Sequence, residues 1–194
     1  MRNLVFAIMF VSIAALAGCA GLNFSQMSPE AKEFHPKTIA VLPATIGEHE
    51  SARDVVEAVV AKKLSESMWY GSVIDAAAVK KMITESKELG DNVQNYLQQV
   101  NTLGTSDAAL TQKLRDGLQV DALFLTYVTS WEYGRMEGNK VAKVGLGIKL
   151  VDAATGVVVW KANHELVDEY LAVKPSLDRL SEKLMKRLMK EMPH

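Results

Sequence analysis

Between positions 121 and 165, the pattern of apolar and polar residues predicts three consecutive β-strands. The first begins at Ala122 and is apolar on both faces in its first half, which is typical of a strand covered on both sides. In the second, the even positions from 144 to 150 are apolar and the odd positions from 143 to 149 are lysine or glycine, which is the period of a half-buried strand. A turn at 152–156 leads into the third strand. We expect these strands to form the centre of the sheet.

Two short strands and several helices surround this centre. Apolar runs at 38–42 and 72–74 are typical of buried strands. Apolar residues recur at helical spacing in four further segments, with a helix break expected at Gly90–Asn92; the segments are 51–64, 75–83, 93–100 and 107–118. Asp75, and Ser106 or Asp107, are expected to cap helices. The expected fold is α/β: one three-layer-like domain with a mixed sheet of about five strands and flanking helices, in the order β-α-β-α-α-β-β-β-α.

The last predicted helix begins at Pro175-Ser176 and has two different faces. Its apolar stripe consists of Leu177, Leu180, Leu184 and Leu188. Its basic residues fall elsewhere on the surface and are Lys183, Lys186, Arg187 and Lys190. One interpretation is that the leucines pack on the sheet while the cations are solvated and suit the C-terminal end of a helix. The other is that the cations bind a partner or an anionic headgroup surface.

The chain opens with a pattern typical of a secreted lipoprotein. Arg2 precedes an apolar run from Leu4 to Ala17, which is too short for a membrane span of about 20 residues. The run ends in Leu-Ala-Gly-Cys, and this motif predicts cleavage between Gly18 and Cys19 with diacylglyceryl and palmitate-type acylation of Cys19. Residues 1–18 are then a signal peptide. The alternatives are an ordinary signal peptide or a core helix with a buried cysteine. Because Cys19 is the only cysteine, no disulfide can form within the chain.

The residues after Cys19 suggest where the protein resides. Ala20 occupies the place where aspartate usually signals retention in the inner membrane, so we expect an outer-membrane anchor with the domain facing the periplasm. Residues 19–37 are polar and irregular, with Pro29 and Pro36, and are interpreted as the lipidated cysteine and a flexible tether. Fully extended, the tether would reach on the order of 60 Å. Residues 38–194 form the expected periplasmic domain.

Charge and motifs argue against several functions. Lysine and arginine number 22 against 23 acidic residues, for a net charge of −1, so we expect no nucleic-acid partner. The four histidines are dispersed, and no phosphate-binding loop or nucleophile elbow is present in the sequence. We therefore expect no enzyme activity, metal or cofactor. Gly145 and Gly147 lie inside a predicted strand, where they would permit close approach by another group.

Aromatic residues offer a candidate interface. Trp131 and Tyr133 stand at the end of the first central strand, beside an expected loop at 134–139. An aromatic patch in this position could receive a protein partner. The alternative is that both residues belong to the core or its edge, where a large ring is buried and one polar tip stays in water.

Three segments resemble a known fold. They are Thr38-Ile39-Ala40-Val41-Leu42-Pro43, Val120-Asp121-Ala122-Leu123-Phe124-Leu125, and the stretch from Leu150 to Trp160. They resemble the periplasmic α/β fold shared by the curli-secretion lipoprotein CsgG, the polysaccharide-export lipoprotein PelC, the synthase activator LpoB and the N-terminal domain of TolB. The sequence is most similar to related bacterial lipoproteins of unknown function, which include a neisserial surface lipoprotein. The resemblance implies a fold, and it carries over no functional residue except Cys19.

Together these features suggest a non-catalytic interaction module that is anchored to the outer membrane and serves an envelope export or assembly system. Its expected partners are the membrane, through the lipid, and proteins of the envelope; a homo-oligomer is compatible with this interpretation. One alternative is a tethered activator of a cell-wall synthase. Another is a lipoprotein that binds a small ligand, which would require a pocket lined by converging polar groups.

Overall fold

The computed structural model describes residues 21–194, which contain six strands and five α-helices. The strands are β1 (Phe24–Met27), β2 (Thr38–Val41), β3 (Ser72–Ile74), β4 (Ala122–Met136), β5 (Asn139–Asp152) and β6 (Val158–Tyr170). The helices are α1 (Arg53–Ser67), α2 (Ala76–Glu85), α3 (Lys87–Leu103), α4 (Ala108–Leu118) and α5 (Leu177–Met189). Short 3-10 helices occupy Pro29–Lys32 and Glu50–Ala52. None of the helices within 21–194 is long and apolar enough to cross a membrane.

All six strands join one mixed sheet in the order β1-β6-β5-β4-β2-β3. Strands β2, β3 and β4 are parallel, whereas β4, β5, β6 and β1 are each antiparallel to the next. The predicted α/β class and mixed sheet are confirmed. The sheet has one strand more than expected. Three helices lie between β3 and β4, one at each of the three segments with helical spacing, although the expected element order gave two. We call the end of the sheet where β4 begins the base end, and the end where β4 finishes the arm end.

Helices cover both faces of the sheet. α1 and α5 enclose one apolar cluster, and α2, α3 and α4 enclose the other. The leucine stripe of α5 is buried in the first cluster, as predicted; its members are Leu177, Leu180, Leu184 and Leu188. A fully buried leucine contributes about 2 kcal/mol relative to an exposed one, so this stripe fixes α5 on the sheet. The even-numbered positions of β5 from Ala142 to Leu150 face the same cluster, as their alternation predicted.

α2 and α4 begin at the expected caps, but the break between α2 and α3 lies at a different residue. The carboxylates of Asp75 and Asp107 accept hydrogen bonds from backbone N–H groups of the first turns of α2 and α4, both at 2.8 Å. The expected break at Gly90–Asn92 is wrong, because Ser86 ends α2 and caps α3. Gly90 lies within α3, where a Cβ atom would lie 3.1 Å from Cγ2 of Ile83. The glycine therefore serves close packing of α2 against α3.

Strand β1 corrects the expected flexible tether at residues 19–37 for the part of that segment that the structure describes. Phe24–Met27 pair with β6 in antiparallel register, Phe24 opposite Asn163 and Met27 opposite Trp160. All four residues of β1 are exposed, so the strand has none of the apolar alternation that predicts a strand from sequence. Its pairing comes from backbone hydrogen bonds, which leave no mark on the residue pattern.

The expected loop at 134–139 is also different in the structure. β4 continues to Met136, and a two-residue turn at Glu137-Gly138 leads directly into β5. Both turn residues have positive φ, 50° and 89°, which matches the twist of a tight hairpin. The strands therefore extend as a three-stranded sheet arm, which we define as residues 131–136, 139–144 and 166–170.

Glycines in β5 admit side chains from β4, as predicted. A Cβ atom on Gly147 would lie 1.8 Å from Cζ of Tyr127, so the tyrosine ring rests directly on this glycine. A Cβ atom on Gly145 would lie 2.2 Å from Oγ1 of Thr129. Thr129 is the extra residue of a β-bulge, since the β4–β5 register shifts between Val128 and Ser130. The two glycines thus make room for the side chains of Tyr127 and Thr129 on the face of β5 next to the bulge.

We expect Gly147→Ala to lower the free energy of unfolding by about 2 kcal/mol, because the new methyl group forces the Tyr127 ring to move. Gly134→Ala is the matched control, since nothing lies within 4 Å of a Cβ atom at that strand position. Urea denaturation of both variants measures the effect. Equal stability of the two variants would contradict the packing described for Gly147.

Candidate interaction surfaces

The two aromatic residues singled out from the sequence have separate roles. Trp131 is 8% exposed and belongs to the core cluster under α1 and α5. Tyr133 is 37% exposed and its hydroxyl donates a hydrogen bond of 2.8 Å to the backbone oxygen of Pro175. Nζ of Lys174 lies 3.4 Å from the centroid of the Tyr133 ring, a cation–π contact. Tyr133 therefore fastens the loop between β6 and α5 to the arm, and the two aromatics do not form one patch.

The basic residues of α5 likewise separate into two groups. Lys183, Lys186 and Lys190 are exposed, as the solvated interpretation expects. Arg187 is half-buried and one of its terminal nitrogens donates to the backbone oxygen of Gly21 at 3.3 Å. Arg187 thus binds the start of the described chain, a long-range contact that the helical pattern alone could not reveal.

A cleft lies between the C-terminal ends of α1 and α5 and has a volume of about 370 Å³. Its lining combines apolar and charged side chains and consists of Lys63, Glu66, Ser67, Trp69, Lys186, Met189 and Lys190. The ring of Trp69 stacks on His194 with centroids 4.0 Å apart and planes 8° apart. The helical pattern of α5 predicted its lysines, but no pattern in the sequence brings them together with Trp69. We call this feature the α1–α5 cleft.

The α1–α5 cleft lies at the base end of the sheet. α1 finishes at Ser67, and Gly71, four residues later, donates its N–H to the backbone oxygen of Lys37 at 2.8 Å. Lys37 in turn donates its N–H to the carboxylate of Asp121, immediately before β4, at 2.9 Å. Burial raises the pKa of Asp121, but three hydrogen bonds from Thr38 and Lys37, together with the charge of Arg115, outweigh it and lower the pKa below its ordinary value. The carboxylate thereby links the starts of β2 and β4.

The segment leading into β1 is fixed to β6 by side chains. Nδ1 of His164 accepts a hydrogen bond from the backbone N–H of Asn23 at 3.2 Å and lies 2.7 Å from the Asn23 side-chain oxygen position. The indole N–H of Trp160 donates to the hydroxyl of Ser25 at 3.3 Å. These contacts hold the chain start against the middle of β6.

Burial lowers the pKa of His164 below its ordinary value, and the positive charge of Arg187 lowers it further. Glu165 and Glu191 act in the opposite direction, with smaller effect. Nε2 of His164 is buried without a hydrogen-bond partner among the described residues, so the positive charge of a doubly protonated ring would be poorly solvated. The folded protein therefore favours neutral His164, with Nδ1 free to accept from Asn23.

Polar residues also meet where the arm begins, on the face of the sheet opposite Trp131. Ser130 donates to the carboxylate of Glu165, and Nζ of Lys143 lies 3.2 Å from Glu165 and 3.8 Å from Glu132. These side chains form their hydrogen bond and ion pairs with one another across the three strands β4, β5 and β6. Among residues 21–194, no three His, Cys, Asp or Glu side chains converge on a position that could hold a metal ion. Gly18 and Cys19 lie outside the described residues, so cleavage and lipidation stay predictions.

We expect the pairing of β1 with β6 to weaken in mild acid. The pKa of His164 is lower when folded than when unfolded, so stabilisation by neutral His164 is complete above about pH 6.5 and is lost as the pH falls toward the folded-state pKa. The midpoint of thermal unfolding should therefore fall more between pH 7.5 and 5.5 in the wild type than in His164→Gln, by a few degrees. An identical decrease in both proteins would exclude His164 as the titrating group.

Comparisons with known proteins identify the fold. No family model matches the chain, and no curated protein matches its sequence. A PelC dodecamer from Paraburkholderia phytofirmans has a similar structure, with 16% sequence identity and a TM-score of 0.56 over 88% of this chain and 98% of that chain. Lipoprotein GNA1162 from Neisseria meningitidis is 21% identical, with a TM-score of 0.52 over 80% of this chain and 100% of that chain.

These similarities confirm, at the level of the fold, the predicted resemblance to PelC and to a neisserial lipoprotein. The likeness to CsgG, LpoB and TolB stays a prediction. The chain therefore shares an α/β fold with PelC and GNA1162 over nearly the whole length of both proteins.

Proposed function

We propose that the protein is an outer-membrane lipoprotein whose periplasmic domain is a non-catalytic interaction module, an accessory of an envelope export or assembly system. One observation carries the proposal: a domain whose fold covers almost the full length of PelC and of lipoprotein GNA1162 comes after a lipobox that ends at Cys19. The domain then acts through position, because acyl chains fix it at the membrane and its surfaces bind other proteins.

The α1–α5 cleft is the surface best suited to a protein partner. Trp69 and Met189 form its apolar part, and Lys186 and Lys190 border them. Tryptophan and methionine are enriched in the buried centres of protein interfaces, while charged side chains belong to the rim. A partner that carries an apolar anchor with acidic neighbours would fit this arrangement.

Self-assembly is compatible with the two outer strands of the sheet. β1 and β3 lie at opposite edges and run in opposite directions, so β3 of one copy could pair with β1 of the next in an antiparallel ladder. A head-to-tail contact of this kind generates a closed ring when the rotations from each copy to the next add up to one full turn. The PelC structure is a dodecamer. We therefore propose that this protein also works as a homo-oligomer.

Lipid attachment and membrane sorting test the anchoring part of the proposal. Cells expressing the wild type are labelled with an alkyne analogue of palmitate, and their inner and outer membranes are separated by density. We expect label on the wild type in the outer membrane and none on Cys19→Ala, because the acceptor thiol is absent. Ala20→Asp is the matched variant: it should keep the label but move to the inner membrane.

Either of two results would contradict the anchoring proposal. Label on Cys19→Ala would show that acylation occurs elsewhere or is nonspecific. Labelled Ala20→Asp in the outer membrane would show that the residue after Cys19 does not direct sorting. Ser25→Ala, which changes a residue of β1 downstream of the lipobox, controls for substitution in the N-terminal segment and should behave as the wild type.

A further inference from the structure

The two outer strands of the sheet, β1 and β3, carry no charge. Residues 21–28 and 67–74, which contain these strands, include no Asp, Glu, Lys or Arg. Among the described residues each strand pairs on one side only, β1 with β6 and β3 with β2. Proteins usually protect such an edge with charged side chains or a bulge, because an unprotected edge strand pairs with another chain. Both outer strands are therefore open to pairing.

The edges of the arm, in contrast, have this protection. Beyond Val128 and Asn163, β4 and β6 pair only with β5 within the described part of the chain. β4 has its bulge at Thr129, and both edges carry charged side chains, which are Glu132, Arg135, Glu165, Asp168 and Glu169. The absence of charge thus distinguishes the outer strands from the arm as a surface for another strand.

Apolar side chains accompany both outer strands. Phe24 and Met27 of β1 are 42% and 50% exposed. Val73 and Ile74 of β3 are only partly buried. Val73 packs against the cluster under α1 and α5, whereas Ile74 packs against the cluster on the opposite face of the sheet. A strand added to either edge would cover apolar surface on both faces.

The faces to which β1 points follow from its partners in β6. Ser25 lies opposite Ala162 and Met27 lies opposite Trp160, and both partners belong to the cluster under α1 and α5. Directly opposed residues on neighbouring strands point to the same face of a sheet. Ser25 and Met27 therefore point to the α1 and α5 face, and the alternate residues of β1 point to the other.

These faces restrict how β3 of one copy pairs with β1 of the next. A slip of one residue would turn the apolar side chains of β3 to the wrong faces, so Val73 must lie opposite either Ser25 or Met27. The first register sets Ile74 opposite Phe24, and such pairs of a β-branched and an aromatic residue stabilise antiparallel strands. The second leaves Ile74 opposite a glutamine, and the first residue of β3 opposite a residue beyond the end of β1.

From these observations we propose that copies of this protein join into one continuous sheet, in which β3 of each copy pairs with β1 of the next and Ile74 lies opposite Phe24. Ser72 then lies opposite Gln26. The inference rests on the proposed homo-oligomer and assigns its interface and register. One kind of contact satisfies both outer edges of every copy, and a closed ring built from it has no unpaired outer strand.

Disulfide cross-linking tests this register. The mature lipidated protein, in mild detergent, carries Gln26→Cys and Ser72→Cys, which replace two exposed residues. Within one chain β1 and β3 are five strand spacings apart, about 24 Å, so a disulfide can form only between copies. Ser25→Cys with Ser72→Cys is the matched control, because its two side chains point to opposite faces of the joined sheet and cannot be bridged.

We expect mild oxidation of the Gln26→Cys, Ser72→Cys protein to give a ladder of covalent multimers in a denaturing gel, and reduction to return them to monomer. The matched control, each single-cysteine variant and the wild type should run as monomers in the same gel. Light scattering of the wild type before oxidation measures the native mass independently.

The possible failures separate this interface from the proposed oligomer. If the wild type is a monomer by light scattering, the homo-oligomer is wrong and the interface is wrong with it. If the wild type is an oligomer but the double-cysteine protein forms no covalent multimers, the oligomer stands and this interface is wrong. Covalent dimers of a single-cysteine variant would indicate pairing of like strands, and multimers of the matched control would indicate a different register; either result overturns the inference.

Discussion

The antiparallel ladder of β4, β5 and β6 is the interaction on which the rest of the structure depends. β5 pairs along its whole length with β4 on one side and along most of its length with β6 on the other. The half of β5 nearer the base end is covered by helices on both faces. The same ladder continues beyond the helices as the arm, so cross-strand pairs stabilise the exposed β4–β5 hairpin as a continuation of the core sheet. The contact of Tyr127 with Gly147 belongs to this constraint, because only glycine permits the β4 side chain to lie across β5. α5 and β1 both attach to β6, and their positions follow from it.

Strand β1 connects the fold to the proposed anchoring. A flexible segment of this length would let the domain work far from its membrane. A segment bound to β6 through Asn23, Ser25 and the backbone of Phe24–Met27 leaves only a few residues between the sheet and Cys19. Under the proposed lipidation of Cys19, this attachment would keep the domain close to the bilayer. Burial of His164 favours the neutral ring, whose unprotonated Nδ1 accepts from the backbone N–H of Asn23 in this attachment.

Features governed by local periodicity could be predicted from the sequence, and those governed by distant contacts could not. Three such features are present in the structure: the alternation in β5, the leucine stripe of α5, and the caps at Asp75 and Asp107. Each depends only on residues that are close together in the sequence. β1 was missed because its four residues are exposed and it pairs through its backbone. The role of Gly90 depends on Ile83 of the preceding helix, which a local rule for glycine ignores. The α1–α5 cleft joins Trp69 to residues of α5, and no spacing in the sequence links them.

The native mass of the full-length lipidated protein, extracted in mild detergent and measured by light scattering with the detergent contribution subtracted, tests the proposed accessory role most directly. A module that works as a ring or scaffold predicts a closed oligomer of defined size that persists on dilution. The same protein found only as a monomer at every concentration would contradict assembly through the outer strands β1 and β3. It would leave a single lipid-anchored domain that acts by binding a partner alone.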